Sequence, residues 1–507
     1  MPVEAVKVVP DDRHNRELVA NAHPGDWINP QPEGRYNLVV IGAGTAGLVA
    51  AAGAAALGAK VALVERHLMG GDCLNVGCVP SKGLIRAGRA SADVRDSGEF
   101  GIRVPEGTTV DFPAVMERMR RLRAKISPND SAKRFAEMGI DVYLGEGHFL
   151  PRNRVEVDGK ELEYAKAVIA TGARASAPPI PGLAEAGYLT NETLFSLTEL
   201  PRRIAVIGAG PIGCEMTQAL SRFGAEMTLL ELAGQVMPRE LSHFAAILQS
   251  SLEKDGVNLI TGCKTTKIEA GPSGKVVHFD VDGESRSVEV DEILVSVGRS
   301  PNVEGLGLDM VGVEIDPGVG VKVNKYLQTT NKRIYAAGDI CFPYKFTHTA
   351  EALAAIVIQN ALFARTKKTD GLIVPWSTYT EPEIAHVGLF PEEARKRGVE
   401  TDTFTCSFDD VDRAILDGEE NGIVEIYAKK GSDKIVGATI AAKHAGDMIS
   451  EISLAMTGGL GLGTIAATIH PYPSQADAIR KAAKAFYKTR LTPRVKNIMV
   501  RWMKWRR

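Results

Sequence analysis

The chain is poor in cysteine, nearly neutral overall and without an unbroken apolar span, and each shortage removes a class of function. Six cysteines in 507 residues are too few for a secreted scaffold stapled by disulfides. With 60 Lys and Arg against 62 Asp and Glu, the formal charge is −2. Such a chain has no overall field to draw in nucleic acid. The longest uncharged run begins at Ile452, but Gly458, Gly459, Gly461, Gly463 and Pro471 punctuate it, so it reads as buried helix, turn and loop rather than a membrane span. Residues 1–34 carry six acids and three bases with no apolar segment, unlike a signal peptide or an Arg-rich transit peptide. A reducing cytoplasm is the expected compartment.

What the chain has in excess is glycine, 51 residues, each costly in backbone entropy unless a turn needs it. They gather behind apolar runs. Tyr36–Ile41 leads into Gly42-Ala43-Gly44-Thr45-Ala46-Gly47, an Ala-rich helical stretch to about Lys60 and a second run ending at Glu65. Arg203–Ile207 leads into Gly208-Ala209-Gly210-Pro211-Ile212-Gly213, a helix to about Phe223 and a run ending at Glu231. First glycine and terminal acid are 23 positions apart in both, and the copies are separated by 166, which marks an internal repeat.

The physics of such a unit is specific. The first glycine makes the turn, the second admits a pyrophosphate against backbone, the third packs helix on strand, and the helix N-terminus supplies N–H donors. Glu65 and Glu231 are then acceptors for ribose hydroxyls. Glu231 also favours NADH over NADPH, because a carboxylate repels a 2′-phosphate and Ala233, Gly234 and Gln235 bring no cation; Arg239 folding back is the alternative. Strands closing on glycine turns recur at Val168–Gly172 and Ile293–Gly298, and Arg333–Asp339 closes on a charged turn. A helix is predicted from His348 to about Ala364, and past Gly371 mixed strand and helix patterns mark a separate domain.

The segment Gly70-Gly71-Asp72-Cys73-Leu74-Asn75-Val76-Gly77-Cys78-Val79-Pro80-Ser81-Lys82 holds two cysteines five apart. A regular helix turns them to different faces, so bridging them needs a local distortion, which Gly77 can supply. A disulfide there is better suited to exchange than to stapling. The alternatives are two buried thiols or an incidental metal pair, and no second Cys/His pair stands nearby to complete a zinc site.

With both glycine motifs, Ala170-Thr171-Gly172, Gly298-Arg299-Ser300-Pro301-Asn302 and Ala337-Gly338-Asp339, this segment resembles the class I pyridine nucleotide-disulfide oxidoreductases over roughly residues 35–490. That family includes dihydrolipoamide dehydrogenase, glutathione reductase and mercuric reductase. The resemblance implies an α/β fold with two Rossmann-type dinucleotide-binding domains plus a C-terminal α+β dimerisation domain. After an extension at 1–34, FAD binds to 35–199 and the return segment 329–370, NAD(P) to 200–328, and 371–489 forms the homodimer interface. It implies FAD on Gly42, Gly44, Gly47, Glu65 and Asp339, the nicotinamide nucleotide on Gly208, Gly210, Gly213 and Glu231, and further cofactor contacts at Gly71, Lys82, Thr171, Gly172, Glu215, Gly298 and Gly338. Cys78 becomes the charge-transfer thiolate and Cys73 the interchange thiol. Lys82, paired with Glu215, lies by the flavin, and the helix entered near Thr347 and His348 points its positive end there. No resident metal is implied.

The family's acid-base histidine lies in a C-terminal His-Pro-Thr-x-x-Glu motif that serves the other subunit's disulfide. Here the stretch reads His470-Pro471-Tyr472-Pro473-Ser474-Gln475-Ala476-Asp477. One register keeps His470 but puts Gln475 in the acid's place. The other keeps proline, a hydroxyl and Asp477 but puts Tyr472 in the histidine's place; it preserves more chemical types and is preferred. A tyrosine, titrating near 10, donates a hydrogen bond but is a poor base at neutral pH.

Mercuric reductases resemble this stretch and also Val411-Asp412-Arg413-Ala414, yet neither a terminal cysteine pair nor a leader Cys-x-x-Cys is present. The acceptor is therefore expected to be a disulfide or a thiophilic metal ion such as Hg(II), with a quinone as rival. Finally, residues 490–507 carry seven bases and no acid, against −9 over the rest. This basic amphipathic tail suits peripheral contact with an anionic membrane, or packing within the dimer. A membrane-associated flavin protein with vestigial redox chemistry is the reading from another class.

Overall fold

The apolar run before the first glycine turn forms the middle of a sheet because it is buried on both faces. In the computed structural model, which describes residue 3 and residues 6–271 and 274–507, Leu38, Val39 and Val40 of the Tyr36–Ile41 strand are fully buried. Parallel strands sandwiched by other elements need such continuous runs. Residues 1, 2, 4 and 5 of the N-terminal extension lie outside the described residues. The fold is α/β and divides into two compact units, residues 1–232 with 256–372, and residues 233–255 with 373–507.

In the first unit, Asp141–Leu144, Val61–Glu65, Tyr36–Ile41 and Lys160–Ile169 lie side by side in that order, all parallel, and Ile334–Ala336 also pairs with Lys160–Ile169. The Thr45–Ala56 helix follows the first glycine turn and buries Ala50, Ala51 and Ala54. Its small residues admit the Thr347–Leu362 helix closely: a Cβ on Gly53 would stand 2.6 Å from Ile358 Cδ1. The second glycine unit builds its own parallel sheet, ordered Asn258–Ile260, Glu226–Leu230, Arg203–Ile207 and Glu292–Val295. The uncharged run after Ile452 completes the Ala445–Thr457 helix, turns at Gly458 and Gly459, and forms the short Leu462–Ala467 helix.

The second unit is an antiparallel sheet ordered Pro375–Thr378, Glu383–Gly388, Ile435–Ala442, Ile423–Lys429 and Thr401–Ser407. Ala445–Thr457 and Asp477–Arg490 share one apolar cluster with it. Elsewhere in this unit lies a buried polar group, where Glu240 Oε1 accepts from Trp376 Nε1 at 2.8 Å while Oε2 has no hydrogen-bond partner. Burial pushes the Glu240 carboxyl up to about 7, with the Trp376 hydrogen bond opposing. A carboxyl raised on folding destabilises once the unfolded chain ionises, so the penalty is absent below about pH 4.5 and complete above about pH 7, where it reaches about 3 kcal/mol. Glu240→Gln is expected to raise the melting temperature at about pH 8 and leave it unchanged at about pH 4; an equal gain at both, in paired thermal melts, would show that charge is not the cause.

Candidate active site

Gly70 and Gly71, with φ of 92° and 56°, turn the chain into the short Gly71–Asn75 helix that carries Cys73. The helix then breaks, as the five-residue spacing requires. Gly77, at φ −130° and ψ −117°, starts the Cys78–Asp96 helix, and a Cβ there would stand 2.7 Å from Asp72 O. Asn75 Nδ2 donates to Met69 O at 3.1 Å and Gly71 O at 2.8 Å, and the buried Arg123 donates to Asn75 O at 2.6 Å. The two cysteines are thus presented by a braced corner, as thiols, with Cys73 half-buried and Cys78 exposed.

Their surroundings push the two thiols in opposite directions. A hydrogen bond from Cys73 is the largest influence lowering Cys78 below the ordinary thiol range; burial opposes it, and Thr347 and the Lys82 charge assist. The same bond, with burial, raises Cys73. Cys78 Sγ lies 3.5 Å from Thr347 Oγ1, and Cys78 stands at the positive end of its own 19-residue helix, which further favours a thiolate. One turn on, Lys82 Nζ is 3.1 Å from Glu215 Oε2, whose side chain is 5% exposed.

The two glycine turns match almost atom for atom. Gly42 and Gly208 both have φ +102°, a conformation that L side chains avoid. Cβ atoms on Gly47 and Gly213 would lie 1.8 Å from Gly42 O and 2.0 Å from Gly208 O. Glu65 Oε2 accepts from Ala43 N at 2.7 Å and Glu231 Oε2 from Ala209 N at 2.6 Å. The terminal acid of each unit therefore fastens its own turn, a role its spacing does not announce; Glu65 Oε1 also accepts from His67 N at 2.8 Å.

The remaining motif residues converge in the same unit. Thr171 Oγ1 donates to Asn302 O at 2.9 Å and Asn302 Nδ2 to Thr171 O at 2.8 Å, so Thr171, Gly172 and the stretch after Gly298 lock together. Gly338, at φ +86°, faces Ala46: its Cβ would stand 3.2 Å from that of Ala46. Asp339 Oδ2 is 3.5 Å from Arg299 Nε, and Arg299 also pairs with Asp72. Burial raises the Asp339 carboxyl against the pull of Arg299.

The pyridine nucleotide-disulphide oxidoreductase family matches residues 36–354, and its dimerisation domain matches residues 374–483. The chain belongs to this family. A mercuric reductase of Staphylococcus aureus is 35% identical over 456 residues, 90% of this chain and 83% of that one. A dihydrolipoyl dehydrogenase of Bacillus subtilis (strain 168) is 36% identical over 453 residues, 88% and 95% of the two chains. Among solved structures, the HOCl-induced flavoprotein disulfide reductase RclA from Escherichia coli superposes with a TM-score of 0.79 at 27% identity, over 89% of this chain and 99% of that one.

The family brings FAD, and the residues present fit it. Gly44 starts the Thr45–Ala56 helix with no side-chain cap, leaving first-turn N–H donors for a pyrophosphate. A Cβ on Gly71 would stand 2.6 Å from Gly44 Cα, so the two glycines make a close backbone floor. Phe346 likewise leaves the Thr347–Leu362 helix uncapped by a side chain.

The C-terminal candidates separate. His470 has Nε2 2.9 Å from Glu451 Oε1 and Nδ1 3.1 Å from Thr468 O; its side chain is buried. Gln475 donates not to His470 but to Glu419 Oε2 at 2.5 Å. Tyr472 is 74% exposed and donates to Asp412 Oδ2 at 2.7 Å, a bond that holds its hydroxyl proton above the ordinary range. Asp477, the acid of the preferred register, instead accepts from Arg480 Nε at 2.7 Å. Sequence reasoning missed Asp412 as the tyrosine's partner, Thr347 as the thiol's and Arg299 as that of Asp339. The Val411-Asp412-Arg413-Ala414 stretch was the one signal for the first.

Proposed function

We propose that this chain is an NADH-linked, FAD-dependent reductase that delivers electrons through the Cys73–Cys78 disulfide to a disulfide or a thiophilic metal ion such as Hg(II). The observation that carries this reading is the Cys73–Cys78 corner, with Cys78 at the start of its helix beside Thr347 and with Lys82 and Glu215 one turn on. Bound FAD supplies two-electron transfer between reduced nicotinamide and the disulfide. Cys73 then attacks the acceptor: on a disulfide its sulfur bonds one acceptor sulfur, and the other leaves as a thiol with the proton that Cys73 gives up. The Cys78 thiolate next attacks Cys73, re-forming the protein disulfide and releasing the second acceptor sulfur as a thiolate, which takes a proton from water. Lys82 holds the thiolate charge, and Glu215 holds Lys82.

We also propose that the enzyme is a homodimer in a reducing cytoplasm, and that the 470–477 segment of one subunit serves the thiols of the other. Tyr472, kept protonated by Asp412, turns its single O–H from Asp412 to departing sulfur but does not take up a proton. That suits an acceptor needing no base, such as a thiophilic metal ion. Tyr472→His is therefore expected to raise turnover of lipoamide or glutathione disulfide at neutral pH by roughly a hundredfold, the lower end of what a positioned base contributes, with Hg(II) turnover unchanged. An unaltered pH profile would remove Tyr472 from the reaction. Assaying lipoamide, glutathione disulfide, Hg(II) and a quinone on one reduced preparation tests the acceptor class; turnover of the quinone alone, independent of the thiols, would overturn the proposal.

Glu231 is the basis for NADH. Glu231→Ala is expected to lower kcat/KM for NADH and narrow the NADH-to-NADPH ratio, through the lost ribose acceptor and the lost repulsion of a 2′-phosphate. Steady-state kinetics with both nucleotides checks this, and an unchanged ratio would count against it.

A further inference from the structure

The helix Pro493–Trp505 buries none of its residues. Thr492 caps it, accepting from Val495 N at 3.3 Å. At 100° per residue, Val495, Ile498, Met499, Trp502, Met503 and Trp505 fall along one face, and Arg494, Lys496, Asn497, Arg501 and Lys504 along the other. The apolar face is open: Ile498 is 66% exposed, Trp502 57%, Met503 62% and Trp505 76%. The two tryptophan rings stand side by side, with centroids 5.1 Å apart. Arg490 is occupied, donating to Gly431 O at 2.9 Å and lying over the Phe486 ring, so it anchors the preceding helix and leaves the six bases beyond it exposed.

Three observations decide what covers this face. The dimerisation domain shared with the family ends at residue 483, so the helix stands outside the element by which the family pairs. Two copies of it laid together by their apolar faces would bring the bases that flank each arc, Arg494 and Lys496, to one seam with no acid in the helix to relieve them. Tryptophan on an apolar arc flanked by arginine and lysine is the pattern of helices lying in a membrane interface, where apolar burial and attraction to anionic headgroups add. Among the described residues no helix is long and apolar enough to cross a membrane, so the helix would lie on a bilayer.

We propose that Pro493–Trp505 is an in-plane anchor for an anionic lipid surface. Ile498, Trp502 and Trp505 enter the acyl boundary, and Arg494, Lys496, Arg501 and Lys504 remain at the headgroups.

The test is co-sedimentation of the full-length, FAD-loaded protein with phosphatidylcholine vesicles, with or without phosphatidylglycerol, at low and high salt. The protein should sediment only with the phosphatidylglycerol vesicles and be released by salt. Each base near an anionic leaflet contributes roughly fivefold to partitioning, so Lys496→Gln with Arg501→Gln and Lys504→Gln should weaken binding roughly 100-fold. Trp502→Ser with Trp505→Ser should also weaken it, and both variants should keep the native oligomeric mass and NADH turnover. The proposal is overturned if the wild type stays in the supernatant or sediments equally with neutral vesicles. It is also overturned if the tryptophan variant changes oligomeric mass in light scattering, which would make this face a contact between protein chains.

Discussion

Cys78→Ser should lower NADH-dependent reduction of the acceptor by roughly a thousandfold or more, the scale expected when a covalent nucleophilic route is removed. Reduction of the bound flavin by NADH should survive, because the nucleotide cradles do not depend on that sulfur. Cys73→Ser should lose acceptor turnover equally but keep the Cys78 thiolate beside Lys82 and Thr347, and with it a long-wavelength thiolate-to-flavin absorption. The pH dependence has a definite sign. Cys78 is held below the ordinary thiol range, chiefly by the Cys73 hydrogen bond, so its thiolate persists on acidification past the point where a free thiol protonates, and vanishes only below the depressed value. Removing Cys73 deletes the largest stabiliser, so the absorption in Cys73→Ser should disappear at higher pH than in the reduced wild type. Persistence of the band in Cys78→Ser would show that its donor is another group.

The second large effect separates two glycines three residues apart. A Cβ on Gly47 would meet Gly42 O at 1.8 Å, whereas one on Gly44 finds only Gly71 Cα at 3.7 Å. Gly47→Ala must displace the turn between the strand and helix at the centre of the first sheet, at a cost of about 3 kcal/mol or more. Low soluble yield and a depressed melting temperature are expected. Gly44→Ala should instead fold with near-native stability and contain little FAD, because its methyl group takes the space where backbone meets pyrophosphate. Melting curves and flavin content on the two purified variants check both; equal stability would show that the turn has slack.

These contrasts mark what was legible in the sequence. The two glycine units could be read because one short stretch carries the whole motif and the second copy repeats its 23-residue span. The Cys73–Cys78 corner was legible for the same reason: five positions and an intervening glycine determine what the helix can do. The pairing of Lys82 with Glu215 followed from the family resemblance. Of the partners brought together only by tertiary folding, Asp412 alone stood in a stretch that carried a signal. Thr347 lies 269 positions from Cys78, Arg299 lies 227 from Asp72, and Asp412 lies 60 from Tyr472. Asp477 matches the family's acid in kind and binds Arg480, while Asp412 takes the tyrosine, a pairing that chemical type alone did not announce. At Glu65 and Glu231 the carboxylate each holds a turn N–H, a duty that the ribose expectation left out.

The central claim is that electrons leave through Cys73 and Cys78, and an anaerobic dithionite titration of the purified, FAD-containing protein tests it most directly. The wild type should take up about four electrons per chain, two for the disulfide and two for the flavin, with long-wavelength absorption appearing after the first two. The Cys73→Ser, Cys78→Ser double variant should take up about two electrons with no such band. Equal uptake by the two proteins would contradict the account.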